Sequence, residues 1–219
     1  EKAKADGKIA NIGFSFHGNN EEFKRIIDAY DWIFCQIQYN FLDTQNQAGT
    51  AGLKYAASKR IAVMIMEPLR GGNLSRPEAP PAIKSIWETA ATKYTPVEWA
   101  LRWVWNHPEV TVVLSGMNID EHIDQNLAIA GQAEANSLTA EELDLVSTVA
   151  DKYRELMPIG CTGCQYCMPC PAGVNIPGCF EIYNTGIMFE ETQQRTQFVY
   201  AFQNGGVRGN STYASQCVE

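Results

Sequence analysis

Apolar residues in the first two thirds of the chain switch repeatedly between two spacings. Residues 9–15, Ile-Ala-Asn-Ile-Gly-Phe-Ser, read as a strand. Residues 21–30 follow with Phe23, Ile26 and Ile27 on one helical face. Residues 32–38 make the next strand, 51–60 a helix, and 61–66, Ile-Ala-Val-Met-Ile-Met, a buried strand. Such near-continuous apolar runs fit a parallel sheet covered on both faces. Helices are predicted over 82–91 and 96–106, the second with Thr95 as N-cap, Pro96 at its first position and Glu98 closing a capping box. A strand over 110–115 precedes helices over 119–130 and 140–156, where Asn118/Glu121 and Thr139/Glu142 have capping-pair spacing.

Residues 1–156 thus alternate strand and helix four times. That implies parallel βα units, hence a doubly wound sheet or a (β/α)₈ barrel. Four units are too few for a whole barrel, which takes roughly 250 residues. The chain opens without Met in a charged stretch, residues 1–7, so it reads as the second half of a larger domain. Past Pro158 the composition shifts to Gly, Pro, Cys and Asn. Two regions are therefore expected: 1–157, and a small loop-rich unit at 158–219 organised by something other than an apolar core.

Composition narrows the function classes. With 17 Lys plus Arg against 25 Asp plus Glu, the net charge is −8. An acidic surface repels phosphate backbones, so no nucleic-acid partner is expected. No apolar run approaches the roughly 20 residues of a membrane helix, and no secretory leader is visible. A cytoplasmic protein is expected. Seven cysteines, an odd number, argue against a disulfide framework and for a reducing compartment. Cys35 and Cys179 read as small buried apolar groups.

Four of the cysteines crowd into ten residues: Cys161, Cys164, Cys167 and Cys170, the last followed by Pro171. Successive two-residue gaps let three thiolates meet three corners of a 4Fe–4S cube, while a Cys before Pro serves the other cluster in two-cluster ferredoxins. The last gap is two residues rather than the usual three. Zinc is the competing metal, but structural zinc takes two short Cys pairs set a dozen or more residues apart. Cys217 reads as the first member of a second cysteine run, or as a lone terminal Cys.

Together these phrases resemble the C-terminal part of an aldo/keto reductase of the iron–sulfur type. The resemblance is carried by Gly7–Ser15, Gln36-Ile-Gln-Tyr-Asn40, Glu67-Pro-Leu-Arg-Gly-Gly72, Ser115-Gly-Met-Asn118 with Asn126, and the Cys run with Gly173-Val-Asn-Ile-Pro177. It implies an α/β fold, the C-terminal half of a (β/α)₈ TIM barrel supplying strands five to eight. A small α-helical ferredoxin-like iron–sulfur region would follow. It implies NAD or NADP across the carboxyl ends of the strands. Ser15 and Gln36 would bond the nicotinamide amide, and Met66 would take the place of the usual stacking aromatic. The loop Pro68, Leu69, Arg70, Gly71 would pass the pyrophosphate. The turn Gly116, Met117, Asn118 would meet the adenosine phosphate end, and Asn126 adenine. Where many relatives carry a basic side chain for a 2′-phosphate, this turn offers Gly116, Asn118 and His122. Read without the resemblance, Gln36 is equally a satisfied buried amide, Met66 core filler, and Gly71 and Gly72 turn residues.

The family's catalytic residues come from its first four strands, which this sequence lacks. Tyr39, Asp43 and His17 are therefore not assigned to catalysis. His17 is placed in a loop at the barrel mouth, and His107 is read as solvated. The expected function is NAD(P)-linked reduction of a carbonyl or similar small substrate, with iron–sulfur clusters relaying electrons to a redox protein partner. The alternative is an electron-transfer or partner-binding module on a non-catalytic barrel scaffold.

Overall fold

A computed structural model describes residues 2–76, 79–161, 167–206 and 209–218. A short helix α1 (Lys2–Ala5) leads into β1 (Gly13–Ser15), α2 (Asn20–Asp28), β2 (Phe34–Gln38), α3 (Gly49–Ser58) and β3 (Ala62–Met66). A 3₁₀ segment, Arg70–Ser75, precedes α4 (Pro81–Trp87), α5 (Pro96–Trp105), β4 (Val110–Val113), α6 (Asp120–Ala130) and α7 (Ala140–Glu155). Helices α8 (Ile176–Met188) and α9 (Gln193–Gln203) follow, then a 3₁₀ turn, Ala214–Gln216.

The strands form one parallel sheet, as the alternating pattern predicts, and their order is β1-β2-β3-β4. Burial alternates along β2 and β3. Cys35, Ile37, Val63 and Ile65 are fully buried, packed with Phe23, Leu53, Ala56 and Val104 of the helices. Phe34, Gln36, Ala62, Met64 and Met66, which point the other way, are only half-buried. The expected sheet covered on both faces is thus corrected: the helices bury one face and leave the other half-open. Burial pushes the Cys35 thiol up to about 12, which suits an inert core group.

Several helix starts are set by side chains. Thr139 and Glu142 cap α7 reciprocally, as expected, and Asn19 and Glu22 do the same for α2. Thr95 accepts from the Glu98 N–H, but the Glu98 carboxylate turns to Arg102 Nε at 2.8 Å instead of closing a box. The expected Asn118/Glu121 cap does not form; α6 starts after Ile119 with no side-chain cap. Helix α4 ends at Trp87, four residues before the expected 91.

A second core lies among α4, α5 and α7, around Ile83, Trp99, Val146 and Tyr153. Met188 and Phe189, from the end of α8, are buried in it. Met188 and Phe189 thus tie the region after residue 157 to this second, helical core. His107 is also corrected. It is half-buried, edge-on to the rings of Tyr39 and Trp103 at 5.3 and 4.6 Å, and burial holds its imidazole below the ordinary value. Among the described residues no helix is long and apolar enough to cross a membrane.

Candidate functional site

The carboxyl ends of β1, β2 and β3 bring the residues singled out in the sequence to one edge. Ser15 pairs in register with Gln36, and Gln38 with Met66, all on the half-open face. The Phe16 N–H donates to the Gln36 carbonyl at 2.9 Å and the Tyr39 N–H to the Met66 carbonyl at 3.1 Å, continuing the ladders past the strand ends. The Ser15 hydroxyl is exposed and the Gln36 amide half-buried, and neither side chain has a hydrogen-bond partner among the described residues.

Just beyond, a polar network joins the β2 and β3 ends. Asn40 is fully buried, with its Oδ1 accepting from the N–H groups of Leu42 and Asp43 at 3.0 Å each. Its Nδ2 donates to Asp43 Oδ2 at 3.1 Å and to the Glu67 carbonyl at 3.2 Å. The same Asp43 oxygen also accepts from Gln38 Nε2 at 3.0 Å and Arg70 Nε at 3.1 Å. Tyr39, next to Asn40, is a core residue: burial pushes its phenol up to about 12, and its hydroxyl lies 2.8 Å from Thr50 Oγ1. It has neither the exposure nor the acidity of a general acid.

Pro68 is buried and Leu69 and Arg70 half-buried, while Gly71 stands clear at φ 63°. A Cβ added at Gly71 or at Gly116 would meet nothing within 4 Å, so both backbones can be approached closely. Gly116, Met117, Asn118 and His122 are exposed around the start of α6, beside Asp120 and Glu121 in its first turn. Asn126 is buried, and its Nδ2 donates to Ser115 Oγ at 3.1 Å.

A cavity of about 760 Å³ opens between these strand ends, the end of α7 and the start of α8. Its lining includes Gln38, Asp43, Glu67, Arg70, Arg154, Glu181 and Cys161. Gln38, Glu67, Arg70 and Cys161 lie within phrases singled out in the sequence, whereas Asp43, Arg154 and Glu181 do not; the Asn40-x-x-Asp43 spacing, typical of a side-chain turn, is the local signal that could have pointed to the network. The Glu67 carboxyl is held above the ordinary carboxylate range, first by partial burial, then by Asp43 and Glu181; His17 and Arg70 pull it back. A raised folded-state value gives stability that is complete below the unfolded value, here 4.5, and is lost as pH rises through the folded one. Glu67→Gln is therefore expected to be more stable than the wild type at neutral pH and equal to it in acid. Urea unfolding at both pH values checks this, and an advantage that persists in acid would contradict it.

Cys161 and Cys170 are half-buried and Cys167 and Cys217 exposed; Cys164 lies outside the described residues. Among the described residues no three Cys, His, Asp or Glu side chains gather into a group able to hold a metal ion. Cys179 is buried as expected, its Sγ 3.8 Å from the Tyr200 hydroxyl.

Residues 1–151 match the aldo/keto reductase family. The fold is similar to that of an aldo-keto reductase from Bacillus halodurans in its holo form, with 25% identity and a TM-score of 0.53 over 68% of this chain and 52% of that one. An aldo-keto reductase from Klebsiella pneumoniae in complex with NADPH is similar at 22% identity and a TM-score of 0.53, over 68% and 51% of the two chains; this shows the fold alone. The chain spans about half the length of these structures. No curated protein matches it.

Proposed function

The chain belongs to the aldo/keto reductase family, and on that premise we propose that the whole protein is an NAD(P)-linked oxidoreductase acting on a carbonyl or similar small substrate. The observation that carries this reading is the pair Ser15 and Gln36, in register at the carboxyl edge of the half-open face, with side chains unpartnered among the described residues. A hydroxyl and an amide so placed suit the carboxamide of a nicotinamide, and strand ends are where such α/β folds hold their ligands. The bare backbones at Gly71 and Gly116 fit the same group, since phosphates need close approach to N–H donors.

In this reading Ser15 and Gln36 orient the nicotinamide ring through its amide, and Met66 gives one ring face an apolar contact. Pro68, Leu69, Arg70 and Gly71 border the pyrophosphate, and Gly116, Met117 and Asn118 the adenosine phosphate. Asn126, with His122 one turn before it, flanks adenine. When held by these residues, a reduced nicotinamide would supply hydride chemistry at this edge of the sheet. The proton for the developing alkoxide comes from a residue of the family's first four strands, outside this sequence. A 2′-phosphate would meet Asp120 and Glu121 with no Lys or Arg in the turn, so NAD is expected to bind more tightly than NADP.

The reading extends to iron–sulfur clusters. Four thiols within ten residues have the donor chemistry of a 4Fe–4S site, which Cys161, Cys164, Cys167 and Cys170 would ligate, with Cys217 serving a second cluster. Such clusters exchange single electrons with a redox partner.

Titrating the full-length protein with NADH and NADPH, read by nicotinamide fluorescence, tests the proposal. Saturable binding is expected, and Gln36→Leu should weaken it roughly tenfold by deleting an amide that the ligand's amide otherwise meets. A brown protein that releases iron and sulfide but binds neither dinucleotide would favour an electron-transfer or partner-binding module on a non-catalytic scaffold. A colourless protein would remove the clusters from the proposal.

A further inference from the structure

The loop after β3 holds an uncommon backbone shape. Glu67, Arg70, Gly71 and Gly72 have φ of 52°, 49°, 63° and 91°. Glycine adopts this left-handed region freely; Glu and Arg do so only when their surroundings hold them there. Two guanidinium groups tie the loop at its two ends. Arg70 Nε pairs with Asp43 Oδ2 at 3.1 Å, fastening the start to the turn after β2. Arg76, directly after the 3₁₀ segment, fastens the end to the C-terminal helices.

Arg76 makes three contacts there and one within the loop. Its Nη2 donates to Asn73 Oδ1 in the loop itself at 2.8 Å and to Glu191 Oε1. Its Nη1 donates to the Phe189 carbonyl at 3.2 Å, and the guanidinium lies 4.9 Å over the Phe189 ring. Glu191 sits in the connection between α8 and α9, with a side chain only 8% exposed. Its second oxygen accepts from Arg195 Nε at 2.7 Å. Charge-assisted contacts of this kind, largely withdrawn from water, hold geometry far better than surface pairs.

We infer that the Arg76–Glu191 pair is a positioning clamp through which the C-terminal helices set the shape of the 67–76 loop, and with it the affinity for dinucleotide. The inference rests on the proposed function, which brings the pyrophosphate to this loop. Neither side chain touches the ligand; both act through the loop backbone. A ligand that binds one loop shape has its affinity reduced in proportion to the fraction of molecules holding that shape. Neutralising Glu191 leaves Arg76 part-buried without its counter-charge, and other loop shapes gain population. Glu191 is the better probe of the two anchors, because Asp43 and Arg70 also line the cavity and their variants would confuse loop shape with ligand contact.

The test compares full-length wild type with Glu191→Gln in two measurements: NADH titration, and hydrogen exchange of the 70–76 amides without ligand. The variant is expected to show a Kd raised roughly tenfold and faster exchange across the loop. Arg195→Gln, which removes only the exposed outer partner, should stay within about twofold of wild type in Kd. Unchanged exchange in Glu191→Gln overturns the clamp, as does an equal loss in Arg195→Gln. Absence of NADH binding in the wild type would instead remove the proposed function, and the exchange measurement then decides the clamp alone. Should Glu191→Gln not fold, Arg76→Lys keeps the charge but loses the planar fork. A raised Kd at unchanged melting temperature then supports the clamp, and an unaltered Kd overturns it.

Discussion

Asn40→Ala is expected to cost about 3–4 kcal/mol of folding stability, the sum of two backbone donors left without partners and the lost links to Asp43 and Glu67. The side chain is wholly buried, and both its ends are engaged: Oδ1 caps the Leu42 and Asp43 N–H groups, and Nδ2 binds Asp43 and the Glu67 carbonyl. Urea unfolding should show a lower midpoint at unchanged slope. A loss below about 1 kcal/mol would mean that the turn relaxes and satisfies its donors elsewhere. Asn40→Asp separates the two ends. It keeps the acceptor but sets a carboxylate against that of Asp43, so its folded-state value is raised. Its deficit should accordingly be small in acid and grow as pH rises.

Trp99→Ala should cost about 3–5 kcal/mol, the range for emptying a large aromatic site in a packed core. Trp99 is 1% exposed, stacked on Trp87 at 5.3 Å and 9°, with Tyr94 edge-on at 4.9 Å. Its Nε1 is buried without a partner among the described residues. That makes Trp99→Phe unusual: lost ring contacts are offset by removal of an unsatisfied donor worth about 1–3 kcal/mol. Trp99→Phe is therefore expected within about 1 kcal/mol of wild type. Thermal or urea unfolding of both variants checks this. A phenylalanine variant as damaged as the alanine one would show that the indole N–H is satisfied in solution.

Elements with strong local signals were legible in the sequence. The apolar runs at 34–38 and 62–66 are strands because alternate residues enter a helix-covered layer. Thr139 and Glu142 mark α7 because a capping box needs only four consecutive residues. Legibility failed where distant contacts decide. Glu98 has a local partner in the Thr95 backbone, but Arg102 competes for its carboxylate and wins. His107 precedes a proline and looks exposed, yet the fold brings Tyr39 and Trp103 against it. Ser15, Gln36 and Met66 were found through family-like phrases. Asp43, Glu181 and Glu191 were not, since their roles exist only when segments far apart in sequence meet. The apolar runs also suggested two covered faces, because hydrophobicity alone does not separate a helix-packed face from a half-open one.

The sheet has another property that follows from its topology. Among the described residues β1 and β4 each pair on one side only, so the outer edge of each offers unmatched backbone donors and acceptors. All four strands run in one sense, and further strands of the same sense could extend both edges and bring them round to each other, sealing the edges into a cylinder. A copy of the chain meeting β1 or β4 about a twofold axis would instead pair antiparallel and leave the far edges bare. At three and four residues these edges are too short to template much of that wrong pairing. Brevity of the outer strands thus works as a solubility device, restraining self-association wherever this sheet is exposed on its own.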